Sequence, residues 1–264
     1  MTIEYCLKSG QLKDALDLAL AEVKASPMAW DKRVALSQIL CLTGDFQRAD
    51  NHLETAQMQS PDALMRLSMY RQMIRGEVTR RECWLEGRSP ELLQDPSPLI
   101  EMNLKLCLAL RENDQQAAAE LAEQIEEARP TLSGTCDGVP FEDFRDQDDR
   151  SSFFFEVITS NGKYFWVPMD SVVSVQFHAV EEPCDLIWRR ATMEAAGQDG
   201  EVFIPALYVG TADQEDVNLR LGRETRWPEE EGSLGVGLGQ RMFWLGEDEK
   251  SILEMTKVEF ASPE

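Results

Sequence analysis

The sequence predicts a mixed α+β protein, with TPR-like α-helical hairpin repeats over residues 1–130 and a strand-rich antiparallel α+β domain over residues 131–264. One observation is a 34-residue repeat of small and helix-breaking residues in the first half. Another is a series of β-rich runs, one of them centred on an Asn-Gly pair, in the second half. A chain of 264 residues is long enough to bury one large core or two smaller ones.

The repeat consists of three matched pairs, each 34 positions apart: Gly10 and Gly44, Ala15 and Ala49, Pro27 and Pro61. This is the period of tetratricopeptide helix pairs. We expect the glycine in the turn between two antiparallel helices, the alanine at their close approach, and the proline after the second helix. A weaker third copy places an asparagine, an alanine and a proline at the same offsets: Asn113, Ala118 and Pro130. Asparagine also enters the left-handed region, so it can replace the turn glycine.

Apolar residues recur with the 3.6-residue period of an amphipathic helix throughout the first half. The pattern predicts helices over residues 11–24, 29–43, 46–59, 62–86, 99–111 and 115–129. Gly76 lies inside the fourth of these, where we expect a break. The segment GRSPELLQDPSP, residues 87–98, predicts a loop because of its glycine and three prolines.

The second half shows strand signals. Asn161-Gly162 lies between the runs FFFEVITS and KYFWVP, which is the strongest short hairpin signal. Further strands are predicted over residues 171–177, 201–205, 240–245 and 251–260, with GEDEK as the turn between the last two. The run DLIWRRATMEA, residues 185–195, fits either a helix or a strand.

The formal net charge of −22 argues against binding to nucleic acid or to an anionic membrane surface. The charge is uneven, because residues 131–264 carry 27 acidic and 11 basic residues, a net charge of −16. One interpretation of this acidic excess is that it keeps the protein soluble. The other interpretation is that it attracts a partner with basic residues.

The six cysteines are at least 24 residues apart and only two histidines are present, so no zinc or redox motif can be formed from sequence neighbours. We expect free thiols, no metal and no cofactor. The N-terminal sequence lacks a signal-peptide pattern and no apolar run reaches membrane-spanning length. The sequence therefore predicts a cytoplasmic protein.

An acidic turn, FEDFRDQDDR at residues 141–150, is the first candidate for chemistry. Its carboxylates could bind a divalent metal or supply an acid–base pair. However, the spacing of a calcium loop is missing. We therefore favour a structural role, in which Arg150 binds a carboxylate with both arms of its guanidinium and holds the loop.

The glycine-rich run GVGLGQ, residues 235–240, is a weak candidate for phosphate binding. It is not GxGxxG, and the FWL run after it reads as a strand, so turn or bulge glycines are favoured. His52 and His178 lie near no GxSxG elbow, which leaves hydrolase chemistry unsupported.

Short strings in a fixed order carry a family resemblance: FEDFRDQDDR, NGKYFWVP, DLIW, FIPALYVG, RLGRETRW and GLGQRM. Together they resemble the ImpE family, also called SciE-type virulence proteins or TagJ. The matching residues that we regard as structural or interface candidates are Asp146, Asp148, Arg150, Glu156, Trp166, Asp185, Trp188, Pro205, Tyr208, Arg223, Trp227, Gly237, Gly239, Gln240 and Arg241. The chain departs from the family pattern at Leu207, where an arginine is frequent, and at Ser151-Ser152-Phe153, where Leu-Gly-Pro is usual.

The resemblance implies a non-enzymatic accessory protein of bacterial type VI secretion. It implies binding to the small sheath subunit through an amphipathic terminal helix, and a link to the AAA+ ATPase that recycles the sheath. A groove between helical hairpins is the default docking site, and the acidic second half competes with it. Two alternatives remain: an enzyme that uses Asp146, Asp148 and Arg150, or a TPR-like adaptor with an unrelated partner.

Overall fold

The structure is a computed structural model that describes residues 2–227 and 234–261. Helices form most of the first half. The six predicted helices lie close to their predicted bounds, whereas a short helix at residues 3–8 was not predicted. The helices are α1 Ile3–Lys8, α2 Leu12–Ala25, α3 Trp30–Leu42, α4 Phe46–Gln59, α5 Leu64–Arg81, α6 Pro98–Arg111, α7 Gln115–Ala128 and, within the second half, α8 Val217–Arg220. None of the helices in the described part of the chain combines the length and the apolar character needed to cross a bilayer.

The turn positions of the repeat are as predicted. Gly10, Gly44 and Asn113 have φ angles of 71°, 77° and 59°, which places all three in the left-handed region between paired helices. The alanine five residues after each of them is completely buried, at Ala15, Ala49 and Ala118. Left-handed backbone lets each turn close tightly, and the missing side-chain bulk lets the helices approach. The assignment of these hairpins to the TPR class itself stays a prediction.

Gly76 does not break its helix, contrary to the sequence-based expectation. Helix α5 runs through it and continues as one π-helical turn over Glu82–Glu86. A Cβ atom at Gly76 would lie 2.4 Å from Cγ2 of Ile158. The glycine is therefore needed for close approach of the helix to the sheet, and periodicity within the helix carries no information about that neighbour.

The second half is built from antiparallel strands. They are β1 Gly134–Cys136, β2 Val139–Phe141, β3 Phe144–Asp146, β4 Phe154–Thr159, β5 Tyr164–Pro168, β6 Val172–Phe177, β7 Trp188–Ala195, β8 Gln198–Pro205, β9 Thr225–Arg226, β10 Leu238–Gly239, β11 Met242–Leu245, β12 Asp248–Ser251 and β13 Lys257–Phe260. The hairpin around Asn161-Gly162 is confirmed as β4 and β5. The ambiguous run at residues 185–195 is mostly strand β7, paired with β8 along its whole length.

Eight strands form one large sheet in the order β2-β1-β13-β6-β7-β8-β4-β5, and a smaller sheet has the order β12-β11-β3. The predicted strand over residues 251–260 is wrong. Ser251 ends β12, and only residues 257–260 form a strand, which pairs with β1 and β6 in the large sheet. Ile252 and Met255 between them are buried, so the chain leaves one sheet to fill the core before it joins the other. The predicted turn is shorter than GEDEK, since Asp248 already belongs to β12.

The large sheet is the middle of three layers. One of its faces packs on the helices through side chains such as Phe154, Ile158 and Trp188. The other face packs on the small sheet, where Phe155 contacts Phe243 with ring centroids 5.8 Å apart. Because β4 is covered on both faces, its sequence is a continuous apolar run rather than an alternating one. Helices and strands share the first of these cores, and a division into two domains at residue 130 stays a prediction.

We predict that Gly76→Ala lowers the free energy of unfolding by about 1–3 kcal/mol, because the new methyl group overpacks the contact with Ile158. In an exposed helix the same change would stabilise the protein by up to about 1 kcal/mol. Urea denaturation measures the difference. The double variant Gly76→Ala/Ile158→Ala removes the Cγ2 atom that the new methyl group meets, so it should lose less stability than the sum of the two single variants. Additive losses would contradict the close contact.

Candidate functional site

The carboxylate of Glu156 on β4 is the centre of a buried network of charged groups. Its residue is 2% exposed. Arg80 on α5 donates to both carboxylate oxygens, from Nε at 2.8 Å and from Nη2 at 3.0 Å. The indole of Trp84 donates at 2.7 Å, and Arg241 and the hydroxyl of Tyr164 complete the set. Helix and sheet are therefore joined through one charged group.

The helical side of this network was not foreseen from the sequence. Arg80 also contacts Glu77 at 3.1 Å and the carbonyl oxygen of Leu207 at 3.0 Å, and Glu77 accepts from the indole of Trp188 at 3.0 Å. Glu77 and Arg80 are 5% and 2% exposed. The sequence did contain a signal for these contacts, because Glu77 and Arg80 continue the spacing of the apolar residues on the buried face of α5. Charged residues at such positions indicate partners elsewhere in the chain.

Arg241 connects Glu156 to the acidic turn. Its guanidinium contacts Asp146 and Glu156, and its Nε donates to the carbonyl oxygen of Pro205 at 3.0 Å. Asp146, completely buried at the end of β3, also accepts from the hydroxyl of Tyr208 at 2.8 Å. The residue that neutralises Asp146 is thus Arg241, which lies 95 positions away.

Asp148 and Arg150 form the contact that the sequence indicated. The guanidinium of Arg150 donates to both carboxylate oxygens of Asp148, from Nη2 at 2.6 Å and from Nε at 2.9 Å. It also lies over the ring of Trp84, 5.5 Å from the centroid. The backbone N–H of Gly237 donates to Asp148 at 2.9 Å. This geometry supports a structural role for the turn.

The glycine-rich run packs on this turn. A Cβ atom at Gly237 would lie 2.4 Å from the ring of Tyr208, which in turn contacts Trp227 edge-on at 5.5 Å. Gly239 has a φ of 99°, and its N–H donates to the hydroxyl of Thr211 at 2.8 Å. The N–H of Gln240 donates to a backbone carbonyl at 3.1 Å. The glycines serve close packing here, and the N–H groups of Gly237 and Gly239 are occupied within the protein.

Aromatic rings surround the charges on the helix-facing side of the sheet. Trp166 on β5 donates to the hydroxyl of Tyr164 at 2.7 Å. Its ring stacks on Phe154 at 4.5 Å and contacts Trp84 at 5.2 Å. These rings keep water away from the carboxylate of Glu156, which strengthens its ion pairs.

Two residues of the family pattern lie outside the network. Asp185 accepts from the backbone N–H groups of Glu181 and Glu182, both at 2.8 Å, and so caps a short helical turn. Arg223 donates to the carbonyl oxygen of Lys8 at 2.9 Å, at the end of α1. Asp185 thus stabilises a local turn, whereas Arg223 connects its loop in the second half to the end of α1.

The two departures from the family pattern fit into the site. Ser151 is buried, and its hydroxyl donates to Asp146 at 3.1 Å. Leu207 is buried as well, and its carbonyl oxygen accepts from Arg80. Ser151 therefore adds a hydroxyl group to the network, whereas Leu207 contributes only its backbone carbonyl oxygen.

The network contains four carboxylates and three guanidinium groups, and burial acts against every charge in it. Burial raises the pKa of Asp146 to about 6, although Arg241 opposes the shift. Burial also acts on Glu156, but Arg80 and Arg241 outweigh it and hold the pKa of Glu156 well below its usual range. Burial thus brings the pKa of Asp146 closer to neutral pH, whereas the two arginines keep Glu156 ionised.

The cysteine side chains are buried, and both histidines contact neighbouring polar side chains. All six cysteines are buried and unpaired, and burial raises the pKa of Cys83 and of Cys107 to about 12, so these thiols stay protonated. His52 contacts Arg33, and His178 contacts the hydroxyl of Thr192. Within residues 2–227 and 234–261, no group of three His, Cys, Asp or Glu side chains has metal-binding geometry.

We predict that Arg150→Ala lowers the free energy of unfolding by about 1–3 kcal/mol, because Asp148 would be left buried with its charge unpaired. Chemical denaturation measures the change. Arg190→Ala is the matched control, since Arg190 pairs with Glu201 at the surface and should contribute less than about 1 kcal/mol. Equal effects of the two variants would contradict the structural role.

A pH prediction follows from Asp146. Its folded pKa of about 6 lies above the unfolded value of 3.8, so its contribution to stability is complete below 3.8 and is lost as pH rises through about 6. The free energy of unfolding of the wild type minus that of Asp146→Asn should therefore fall by about 2 kcal/mol between about pH 4.5 and 7. Urea titrations at fixed ionic strength measure this difference. A difference independent of pH would show that Asp146 is ionised throughout.

Comparisons with known proteins match this chain over nearly its whole length. The type VI secretion system accessory component TagJ of Pseudomonas aeruginosa is 31% identical over 261 residues, which cover 98% of this chain and 91% of that protein. The crystal structure of protein VPA1032 from Vibrio parahaemolyticus superposes with a TM-score of 0.91 at 28% identity, over 98% of this chain and 97% of that one. The mixed α+β class is thereby confirmed.

A family model described as ImpE protein matches residues 138–259, a range that contains every family-pattern residue named above. The model and the near-complete alignment with TagJ identify the same family as the sequence strings did. The chain belongs to the ImpE family, the family of the type VI secretion accessory component TagJ.

Proposed function

We propose that this protein is a non-enzymatic accessory protein of a bacterial type VI secretion system, that it binds the small sheath subunit, and that it is linked to the AAA+ ATPase that recycles the sheath. The alignment with TagJ over 98% of the chain is the observation that carries the accessory role. The partners follow from the family resemblance.

The geometry of the buried network supports a role without catalysis. Asp146 and Asp148 have exposures of 0% and 1%, and their carboxylates are bonded to arginine, tyrosine, serine and backbone groups. A catalytic acid or base must reach its substrate. These carboxylates instead use their hydrogen-bonding capacity within the fold, which favours the adaptor over the enzyme.

The charge of the chain supports a partner with basic residues. The net charge of −22 creates a negative potential around the protein, and a basic segment would be attracted along it. Such attraction mainly increases the association rate and weakens with salt. The amphipathic terminal helix of the small sheath subunit is the segment that we expect to bind.

Co-expression tests the proposal. The tagged full-length protein is expected to co-purify with the small sheath subunit in a fixed ratio, and to lose it when the terminal helix of the subunit is deleted. Recovery of the complex with a deleted helix would refute the assigned segment. Absence of any complex with the complete subunit would refute the partner, and turnover of a substrate that Asp146→Asn abolishes would favour the enzyme.

A further inference from the structure

The large sheet carries a groove on the face turned away from the helices. Its floor is formed by β4, β5, β7 and β8, with Leu93 from the loop after α5 at one side, and its volume is about 400 Å³. None of the residues that line it belongs to the small sheet, which covers the same face further along. We call this depression the sheet groove. Its apolar floor residues are Val157, Phe165, Val167, Met193, Ala195 and Val202, of which Phe165 and Val202 are half-buried and the others are almost completely buried.

The register of β7 and β8 shows which side chains point into the sheet groove. Met193 pairs with Gly200, and Ala195 pairs with Gln198, and directly paired residues of antiparallel strands project to the same face. Gly200 and Gln198 therefore face the groove. A Cβ atom at Gly200 would meet nothing within 4 Å, so the groove is open at this point. No charged side chain projects from this part of the floor.

The charges around the sheet groove are acidic. An adjoining depression that shares Leu93 is lined by Asp95 and Asp170. Among the described residues that line the two depressions there is no lysine, arginine or histidine. Asp199 pairs with Glu194 and Glu201 pairs with Thr192, so both carboxylates project to the opposite face of the sheet. Asp95 and Asp170 are therefore the main source of the local negative potential at the sheet groove.

The width of the sheet groove matches the length of a short helix. Four neighbouring strands span roughly 14 Å at the usual spacing of antiparallel sheets. This is the length of roughly ten helical residues, or about three turns, at 1.5 Å per residue. Three turns present the few apolar anchors that helix-in-groove recognition requires.

The helical layer offers less free apolar surface at its inner side. Gly76 approaches Ile158, and Phe46 contacts Trp188 with ring centroids 6.4 Å apart, so the sheet already packs on the helices. The inner side of the helical layer is thus covered by the sheet, whereas the opposite face of the sheet is only partly covered.

We propose that an amphipathic helix, with basic residues beside its apolar face, docks in the sheet groove over β4, β5, β7 and β8. The inference rests on the proposed function for the identity of the probe, which is the purified small sheath subunit. The apolar anchors pack on the half-buried Leu93, Phe165 and Val202, and the basic residues face Asp95 and Asp170.

The first test fills the sheet groove. Gly200→Phe places a ring on the open floor without backbone strain, and we expect it to weaken binding of the sheath subunit at least tenfold. The matched control is Glu194→Phe, which adds the same ring to the same hairpin on the opposite face. Calorimetry measures binding, and thermal unfolding of each variant verifies that it folds.

The second test changes charge at an exposed position, where folding is not at risk. Gln198→Arg puts a cation at the mouth of the groove and should weaken binding roughly three- to tenfold, with a smaller salt dependence. Gln176→Arg is the matched control, because Gln176 is exposed on the opposite face of the sheet. The control should bind like the wild type.

The outcomes separate the inference from the proposed function. If the wild type does not bind the sheath subunit, the proposed function fails and the inference fails with it. If the wild type binds and Gly200→Phe and Gln198→Arg bind equally well, only the sheet groove is refuted. If a proline in the middle of the subunit's terminal helix leaves binding unchanged, the occupant is an extended strand, and the proposed helix is overturned.

Discussion

The carboxylate of Glu156 holds two arginines that come from distant parts of the chain, Arg80 on α5 and Arg241 just before β11. All three groups are almost completely buried, so each charge depends on the others for compensation. Removing one partner of a buried ion pair leaves an uncompensated charge, which is far more destabilising than the loss of a surface pair. The packing of helices on the sheet, the position of the acidic turn and the path of the glycine-rich run all depend on this constraint.

The network also determines the opposite face of the sheet. Successive residues of a strand point to opposite faces. Glu156 and Val157 are neighbours on β4, and Trp166 and Val167 are neighbours on β5, so the residues that face the network alternate with those that floor the sheet groove. The interior charges thereby orient the strands on which the proposed docking surface lies. This relation connects a set of buried residues to a surface function without giving any of them a catalytic role.

Local patterns predicted much of the fold. The helices followed from apolar periodicity, and the turns at Gly10 and Gly44 followed from backbone conformations that only a few residues tolerate. The hairpin around Asn161-Gly162 followed from its turn chemistry in the same way. The failures concern residues whose conformation depends on distant neighbours. Gly76 was expected to break its helix, because the sequence does not show that Ile158 packs against it. Residues 251–260 were expected to form one strand, but they are divided between two sheets.

The sequence by itself determined the mixed α+β class, the bounds of most helices and the family, and it indicated that Arg150 binds a carboxylate of the acidic turn. These properties depend on residues close together in the chain, or on their order along it. Only the tertiary structure decided that Asp146 pairs with Arg241, that Glu77 and Arg80 join the network, and that one face of the sheet keeps an open groove. The physical reason is that a buried charge selects its partner by distance in space. Arg80 and Glu156, Glu156 and Arg241, and Asp146 and Arg241 are 76 to 95 positions apart, so no local pattern records these pairs.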